Sequence, residues 1–197
     1  MKKKRLNPLR MNSKKALFKS GSTILAVAIM FSFLTSPIQA APTSYNINVP
    51  IVQQAYDKWC WAACGASVVN YYGGNITQYN FSYTVQHSYN NVGKSFNDVA
   101  NGLAQYGINS SLTTGPVDYS TVQYNSYNLS RPLLIGICSL TNSSYGHMVL
   151  ISGYTMTASD DRLILMNPEM SSYWTPPYAN IVSAYPYYWA ETMENIY

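Results

Sequence analysis

The hydrophobic pattern of the first half of the chain predicts an extended segment followed by a buried helix. Apolar and polar residues alternate through residues 41–52, as they do in a strand. The alternating apolar residues are Ile47, Val49 and Ile51. Residues 60–72 are instead rich in Ala, Cys and Val, and Gly73-Gly74 follows as a helix terminator. Because small residues allow close packing on many sides, we expect residues 60–72 to form a central helix.

A second helix is predicted from the residues at its start. Ser95 is followed three residues later by Asp98, a pair that resembles a capping box. The helical pattern continues through Leu103 and Tyr106 and ends at Gly107. Weaker helical patterns cover residues 77–89 and 119–128.

The second half of the chain has the pattern of strands. Short apolar runs have the length and composition of buried strands. They cover residues 133–138, 147–154 and 163–166, and the aromatic residues 185–189 are a fourth candidate. Because helices come first and antiparallel strands second, with no internal repeat and no long linker, we predict one α+β domain.

The first 40 residues have a different character. Eight of the chain's 12 Lys and Arg lie in residues 1–20, and a short apolar stretch at residues 24–34 follows them. Small residues then lead to Ala40 and Ala41. This order is typical of a secretory signal peptide, residues 1–40, cleaved after Ala40 or else after Ala41. The alternative is a leader that remains uncleaved as an anchor, although the apolar stretch is short for a membrane span.

Leader removal changes the charge of the protein. The remaining domain, residues 41–197, keeps four Lys and Arg against all eight Asp and Glu, which gives a net charge of −4. The basic character of the full chain therefore belongs to the leader, and nucleic acid is excluded as an expected partner. No stable membrane anchor is expected once the leader is gone, so we predict a secreted, extracellular protein.

Three cysteines make one thiol a candidate for chemistry. An odd number in an exported protein leaves at least one of Cys60, Cys64 and Cys138 without an intramolecular partner. Cys60 begins the predicted central helix, where unpaired N–H groups and the helix dipole favour the reactive thiolate. Cys64 lies inside that helix and is a weaker candidate. It either pairs with Cys138 or both remain free buried thiols, and the second alternative is favoured.

Three motifs in a fixed order carry a family resemblance. Gln54 stands six residues before Cys60 in a Cys-Trp-Ala helix start, His147 follows a glycine and opens an apolar strand, and a later strand ends in Asn167-Pro168. Over roughly residues 47–175 this pattern resembles the papain-like cysteine peptidases. It is most similar to two bacterial branches, the staphopains and the peptidases that cleave double-glycine bacteriocin leaders. Trp59 before the cysteine is typical of staphopains, whereas the leader peptidases tend to have Asp.

The resemblance implies a papain-like fold and a role for each of these residues. Cys60 would attack a carbonyl carbon and form an acyl-enzyme, with His147 as its base. Asn167 would orient the imidazole, and the side chain of Gln54 with the backbone N–H of Cys60 would bind the oxyanion. The implied activity is a secreted, thiol-dependent endopeptidase acting on protein or peptide substrates, without a cofactor or metal.

Several assignments have alternatives in the sequence. Gln53 competes with Gln54 for the oxyanion role, and Asn167 could simply begin the turn at Pro168. His87 has no matching motif and is interpreted as a surface residue. Trp174 could shield Asn167, as a Trp often does in papain-like enzymes, although its spacing differs.

The activity also has alternatives of other classes. An acyltransferase or a wall-peptide amidase would use the same acyl-enzyme, and a catalytically silent binding or toxin-like module would use none of it. The complete set of Gln, Cys, His and Asn argues against the silent module. Only about a dozen residues separate Ala41 from Gln54, too few for an inhibitory prodomain, so control must come from elsewhere, for example from a protein inhibitor.

Overall fold

Helices occupy mainly the N-terminal part of the computed structural model, which describes residues 41–197. The predicted signal peptide, residues 1–40, lies outside the described residues. The helices are α1 (Cys60–Tyr71), α2 (Gln78–Gln86), α3 (Phe96–Ala104), α4 (Tyr119–Gln123) with a π-helical segment at Tyr124–Asn128, and α5 (Tyr178–Val182). The first four match the helices predicted from the sequence, whereas α5 was not anticipated.

The ends of the helices agree with their sequence signals. Ser95 and Asp98 form the predicted capping box of α3, and hydrogen bonds from Ser95 lower the pKa of the Asp98 carboxyl. An equivalent box at Thr77 and Asn80 opens α2. In contrast, α1 begins after Trp59 without any side-chain cap, although ten of its residues are buried. The central helix is therefore stabilised mainly by burial, as its small-residue composition predicts.

The strands form one sheet. They are β1 (Ser44–Asn46), β2 (Ser111–Thr114), β3 (Leu133–Ser139), β4 (Gly146–Met156), β5 (Asp161–Met166), β6 (Tyr173–Trp174), β7 (Ser183–Ala184) and β8 (Tyr187–Glu194). Their order is β2-β8-β3-β4-β5-β6, with β1 paired to β4 and β7 to β8. All the pairings are antiparallel, which confirms the predicted α+β class. The strand β8 extends well beyond the aromatic residues 185–189 that indicated it.

The extended segment at the start of the domain forms less strand than expected. Of residues 41–52, only Ser44–Asn46 pairs in the sheet, opposite Gly153 to Thr155 of β4. A Cβ atom at position 153 would overlap the backbone oxygen of Tyr45, so glycine is required where β1 crosses β4. The remaining residues run past the end of α1, where the carbonyl of Pro50 accepts a hydrogen bond from Ser67.

Two hydrophobic clusters cover the two faces of the sheet. Strand side chains alternate between faces, so Leu134, Met148 and Leu150 pack with α1, α2 and α3 on one side. Ile135, Val149 and Ile151 pack with α4, α5 and Trp189 on the other side. Helix α1 thus lies against the middle of the sheet. Its contact with β4 brings the N-terminal end of the helix towards the start of that strand, where the predicted site residues lie.

Candidate active site

The thiol of Cys60 lies at the first residue of α1. The residue is buried, with 7% of its surface exposed, and it lines a cavity of about 500 Å³. Because no side chain caps this helix, the positive end of its dipole is not neutralised by a neighbouring carboxylate or hydroxyl. An uncapped helix start of this kind is a position at which nucleophilic cysteines lie.

His147 and Asn167 meet because their strands end at the same edge. The strand β4 begins at Gly146, and its antiparallel neighbour β5 ends at Met166, so the residues that follow these ends are adjacent. The ring nitrogen Nε2 of His147 lies 2.8 Å from Oδ1 of Asn167. Both side chains are buried, and Cys60 lines the same cavity as the ring and acts to raise its pKa. The structure therefore brings together three of the four site residues predicted from the sequence.

The hydrogen bonds fix which nitrogen of His147 carries the proton. Oδ1 of Asn167 also accepts a bond from the backbone N–H of Glu169, at 3.0 Å, so this atom is an acceptor. Nε2 of His147 must then donate to it, which leaves Nδ1 to exchange a proton with the sulfur. Asn167 is thus an acceptor for the ring as well as the start of the turn before Pro168.

The pKa of His147 is raised by its partners. Burial alone lowers the pKa of the imidazole, but hydrogen bonds to Cys60 and Asn167 and the negative charges of Cys60 and Glu169 outweigh it. The net pKa lies above the ordinary value of 6.5. The site therefore favours a protonated imidazole, the form that can give a proton to a leaving group. The motif pattern had not indicated Glu169, whose only sequence signal is its position after Asn167-Pro168.

Gln54 lies in the loop that leads to Cys60, and its amide is already engaged. Nε2 donates to the carbonyl oxygens of Tyr56, at 2.9 Å, and Asp57, at 3.1 Å. Oε1 is buried without a hydrogen-bond partner. The side chain therefore holds the loop that leads into Cys60, and an oxyanion role would require one of these bonds to be exchanged for the substrate. The side chain of its competitor, Gln53, is exposed.

The backbone of Gln54 is held from two sides. Its N–H donates to the carbonyl of Pro168, at 2.8 Å, which ties it to the segment that carries Asn167. The side chain of Gln78 donates to the carbonyl of Gln53, at 2.7 Å, and accepts from the N–H of Ala55, at 2.8 Å. Gln78 was not found from the sequence, since a glutamine at the start of a polar helix has no distinguishing pattern.

Two cavities lie on opposite sides of a ridge that includes Tyr145, His147 and Glu169. Cys60 lines the first, of about 500 Å³, and Asn167 and Trp174 line the second, of about 540 Å³. Tyr145, His147 and Glu169 line both. Trp174 therefore lies beside Asn167, as the resemblance suggested, and it is 37% exposed. A chain that passes over His147 would occupy both cavities at once.

The other cysteines and the second histidine are separate from this chemistry. Cys64 and Cys138 are free thiols, the alternative favoured from the sequence. Cys64 is buried one turn into α1, its Sγ lies 3.4 Å from the carbonyl oxygen of Met148, and burial raises the pKa of its thiol well above the ordinary value. Burial followed by the charge of Glu191 raises the pKa of the Cys138 thiol. His87 is exposed at the end of α2, as expected.

Residues 41–197 contain neither a metal-binding cluster nor a membrane-spanning helix. Among residues 41–197, no three His, Cys, Asp or Glu side chains gather in a way that could hold a metal ion. Within that same part of the chain, no helix combines the length and the apolar character needed to cross a membrane.

Solved structures share this fold at low sequence identity. The peptidase domain of Streptococcus ComA, a bi-functional ABC transporter involved in quorum sensing, aligns with a TM-score of 0.58 and 17% identity, over 74% of this chain and 96% of that one. A C39-like peptidase from Bacillus anthracis gives 0.55 and 15%, over 77% and 97%. Digestive procathepsin L 3 of Tenebrio molitor larval midgut gives 0.54 and 15%, over 80% and 71%. Among curated proteins, no sequence matches.

The family match covers most of the chain. The model of the Peptidase C39-like family matches residues 46–194, which include the helix that starts at Cys60 and the strands that carry His147 and Asn167. The structural neighbours agree with this match in fold, since they include both C39 peptidase domains and a cathepsin. The chain therefore belongs to the Peptidase C39-like family and is a papain-like cysteine peptidase.

Proposed function

We propose that this protein is a secreted endopeptidase that cleaves peptide bonds through an acyl-enzyme on Cys60. The observation that carries the proposal is the placement of Cys60 and His147 on one cavity, with the ring of His147 hydrogen-bonded to Asn167. A nucleophile, a base within reach of it and a third group that orients the base are the elements of covalent acyl transfer. These three side chains are buried together and lie at cavities open to a substrate.

The first half of the reaction forms a thioester. Sγ of Cys60, as the thiolate, attacks the carbonyl carbon of the peptide bond, and the carbonyl oxygen becomes an oxyanion. The C–N bond then breaks as the protonated ring of His147 gives its proton to the leaving amine nitrogen. The raised pKa of His147 suits this step, because the imidazole must be protonated when the amine leaves. The acyl group remains bonded to Sγ.

The second half releases the acyl group to water. His147, now neutral, removes a proton from a water molecule that attacks the thioester carbonyl carbon. The C–S bond breaks, the acyl group leaves as a carboxylic acid, and Cys60 and the protonated His147 are restored. Asn167 keeps the imidazole in one orientation through both halves, since its Oδ1 accepts from Nε2 and leaves Nδ1 free for proton transfer.

The oxyanion needs hydrogen-bond donors near Cys60. We assign this role to the backbone N–H of Cys60, at the uncapped start of α1, and to the side-chain amide of Gln54. Gln54 suits the role by position, since its backbone is fixed between Pro168 and Gln78. Its amide would donate to the oxyanion after release of the carbonyl of Tyr56 or Asp57.

Secretion is proposed from the leader. The fold of the described residues begins directly after the predicted cleavage site, with hydrogen bonds to the carbonyls of Pro42 and Thr43 from β4. Cleavage after Ala40 or Ala41 would therefore leave the domain whole. Protein recovered from culture medium should begin at Ala41 or Pro42 when its N-terminus is sequenced, whereas exported protein that begins at Met1 would refute the proposed cleavage.

The activity is tested on a mixture of peptides. Residues 41–197 are incubated with a broad peptide library, and the cleaved bonds are identified by mass spectrometry, with Cys60→Ala as the control. Internal cleavage by the wild type and none by the control is the expected result. Addition of small amines separates the alternatives, because an acyltransferase would give mainly amide products and a hydrolase would give free carboxylic acids. Products with no dependence on Cys60 would contradict the proposal.

A further inference from the structure

A single carboxylate lies on the sheet side of the cavity that contains Cys60. Glu191 of β8 lines this cavity together with Cys60 and His147. Within residues 41–197 the one ion pair joins Arg162 to Asp160, so Glu191 has no cationic partner there. A carboxylate without a cation beside a nucleophile is available to a charged group of the substrate.

The glycine opposite Glu191 leaves room for the ring of Phe96 on the same face of the sheet. Gly136 of β3 pairs with Glu191 in register, and a Cβ atom built on Gly136 would lie 3.8 Å from the Cβ of Glu191. The same Cβ would approach Phe96 to 2.8 Å, so Glu191 and Phe96 lie on one face of the sheet. Because paired residues in register project to the same face, the Glu191 side chain extends on the side of α3 and the cavity.

A second observation indicates that Glu191 lies near the reactive centre. Cys138, which lines the same cavity, lies two residues along β3 from Gly136 and has its thiol pKa raised first by burial and then by the charge of Glu191. The carboxylate therefore acts electrostatically on a group that shares the cavity with Cys60.

Four other charged groups line this cavity. Asp57 is hydrogen-bonded to Asn91, and Glu169 lies on the ridge beside His147. Lys58 and Lys94 line the cavity from the segments before α1 and α3, and neither lies within ion-pair distance of Glu191. Glu191 is thus the carboxylate that faces the cavity from the sheet.

The walls between Glu191 and Cys60 are apolar. Trp61, Phe96 and Met148 line the cavity, and each has at most 5% of its surface exposed. A long basic side chain has an apolar stem and a charged end, so it can place its methylene groups along such walls and its charge at a carboxylate. An arginine adds two parallel hydrogen bonds to that contact.

We propose that Glu191 is a specificity-determining residue that selects a basic side chain, Arg or Lys, on the acyl side of the cleaved bond. The acyl side is implied because Cys60, which bonds the acyl group, lines this cavity and not the one beyond His147. The inference rests on the proposed function, and it names the substrate class of the same site.

The test compares arginine with its neutral isostere. Fluorogenic peptides that carry Arg or citrulline at each of three acyl-side positions are assayed with the wild type, Glu191→Gln and Glu194→Gln. Glu194 is the matched control, since it lies on the same strand outside the cavity and accepts a hydrogen bond from Thr113 at 2.7 Å. At one of these positions, kcat/KM for the Arg peptide should exceed that for the citrulline peptide by about fivefold, the upper end of the effect of a partly exposed ion pair. The ratio should be smaller at high salt.

The preference for Arg over citrulline should disappear in Glu191→Gln and persist in Glu194→Gln, which should turn over both peptides as the wild type does. A wild type without preference, or a preference retained by Glu191→Gln, would overturn the inference. If no peptide is cleaved, the proposed function fails, and binding of the same peptides to Cys60→Ala, measured by fluorescence anisotropy, decides the inference separately. Tighter binding of the Arg peptide that needs Glu191 supports it, and equal binding of both peptides overturns it.

Discussion

At the scale of single residues, the three cysteines differ in the environment of their thiols. Cys60 begins an uncapped helix and contacts His147, whereas Cys64 is buried among apolar side chains and Cys138 lies near Glu191. The pKa of both Cys64 and Cys138 is raised, which keeps them protonated and unreactive at neutral pH. The chemical difference lies in the neighbours that the fold supplies.

This difference predicts the order of alkylation. Iodoacetamide should label Cys60 first, because its thiol lies at an uncapped helix start and lines a cavity with His147, which can take its proton. Cys64 and Cys138 should react after denaturation. Peptide mapping of the labelled protein by mass spectrometry measures the order, and equal labelling of all three only after unfolding would contradict it.

The raised pKa of His147 predicts the alkaline limit of activity. The ion pair requires a protonated ring, so kcat/KM should remain high above pH 6.5 and fall as the pH rises through the raised pKa. Asn167→Ala removes a hydrogen bond that raises this pKa, so the fall should move to lower pH with a modest loss of maximal rate.

The control for this pH profile is Asn101→Ala, a change of the same type at an exposed position of α3. It should leave the whole profile unchanged. An alkaline limb at the same pH in Asn167→Ala and the wild type would show that Asn167 does not act on the ring.

The protonation of His147 also affects the free energy of unfolding. Because the folded state raises the pKa of His147, its stabilising contribution is fully present below pH 6.5 and is lost as the pH rises through the raised pKa.

The oxyanion role of Gln54 predicts a loss in rate. Gln54→Ala should lower kcat by about 10²–10³ while the backbone donor at Cys60 sustains the remainder. Gln53→Ala, next to it in sequence and exposed, should be close to the wild type. Steady-state kinetics and thermal melting of both variants separate the roles. If Gln54 only holds the loop through Tyr56 and Asp57, the melting temperature should fall while kcat remains within a few-fold of the wild type.

At the scale of elements, the fold depends on close approach between α1 and α2. A Cβ atom at Gly65 would overlap the ring of Phe81, so the small side of α1 is a contact surface for the neighbouring helix. The sequence identified this helix from its small residues but gave no sign of the helix they would contact. Helix positions were predictable where local signals exist, such as the cap at Ser95.

The packing at Gly65 predicts a cost for a larger side chain. Gly65→Ala should destabilise the domain by about 1–3 kcal/mol, because the added methyl group overpacks the contact with Phe81. The higher helix propensity of alanine should offset part of this loss. Gly93→Ala is the control, because a Cβ at Gly93 meets nothing within 4 Å. Urea unfolding curves measure both, and a Gly65→Ala midpoint equal to that of the wild type would contradict the packing account.

Elements without a local signal were missed from the sequence. The strand β2 is exposed along its whole length and is defined by its pairing with β8, so its pattern resembles that of a polar loop. Most of residues 41–52 alternate like a strand, but the pairing with β4 ends at Ile47, whose N–H donates to the carbonyl of Ser152. Such strands are determined by contacts distant in sequence, which periodicity does not report.

At the scale of the whole molecule, the site depends on the contact between the helical part and the sheet. Cys60 comes from α1 and His147 from β4, and Asn167 follows β5. Nothing in the spacing of these residues shows that they meet, and the sequence predicted their meeting only through resemblance to a family. The structure supplies the physical reason, since α1 packs on β4 and the ends of β4 and β5 are adjacent.

The assembly of the whole molecule also explains why the sequence did not indicate a substrate. The cavity beside Cys60 is assembled from α1, α3, the β3–β4 pair and β8, and Glu191 enters it from the last strand. Residues from five elements define its shape and charge, so no single motif describes it. Motifs identified the groups that make and break bonds, whereas recognition depends on residues that become neighbours only after folding.

The proposed activity requires a covalent acyl-enzyme that forms on Cys60 with the help of His147. To detect it, residues 41–197 are mixed with an excess of a peptide ester and quenched in acid, and the mass of the intact protein is determined. We expect an added acyl mass located on Cys60 by fragmentation, absent in Cys60→Ala and greatly reduced in His147→Ala. An acyl group located on Cys64 or Cys138, or undiminished peptide turnover by Cys60→Ala, would contradict it.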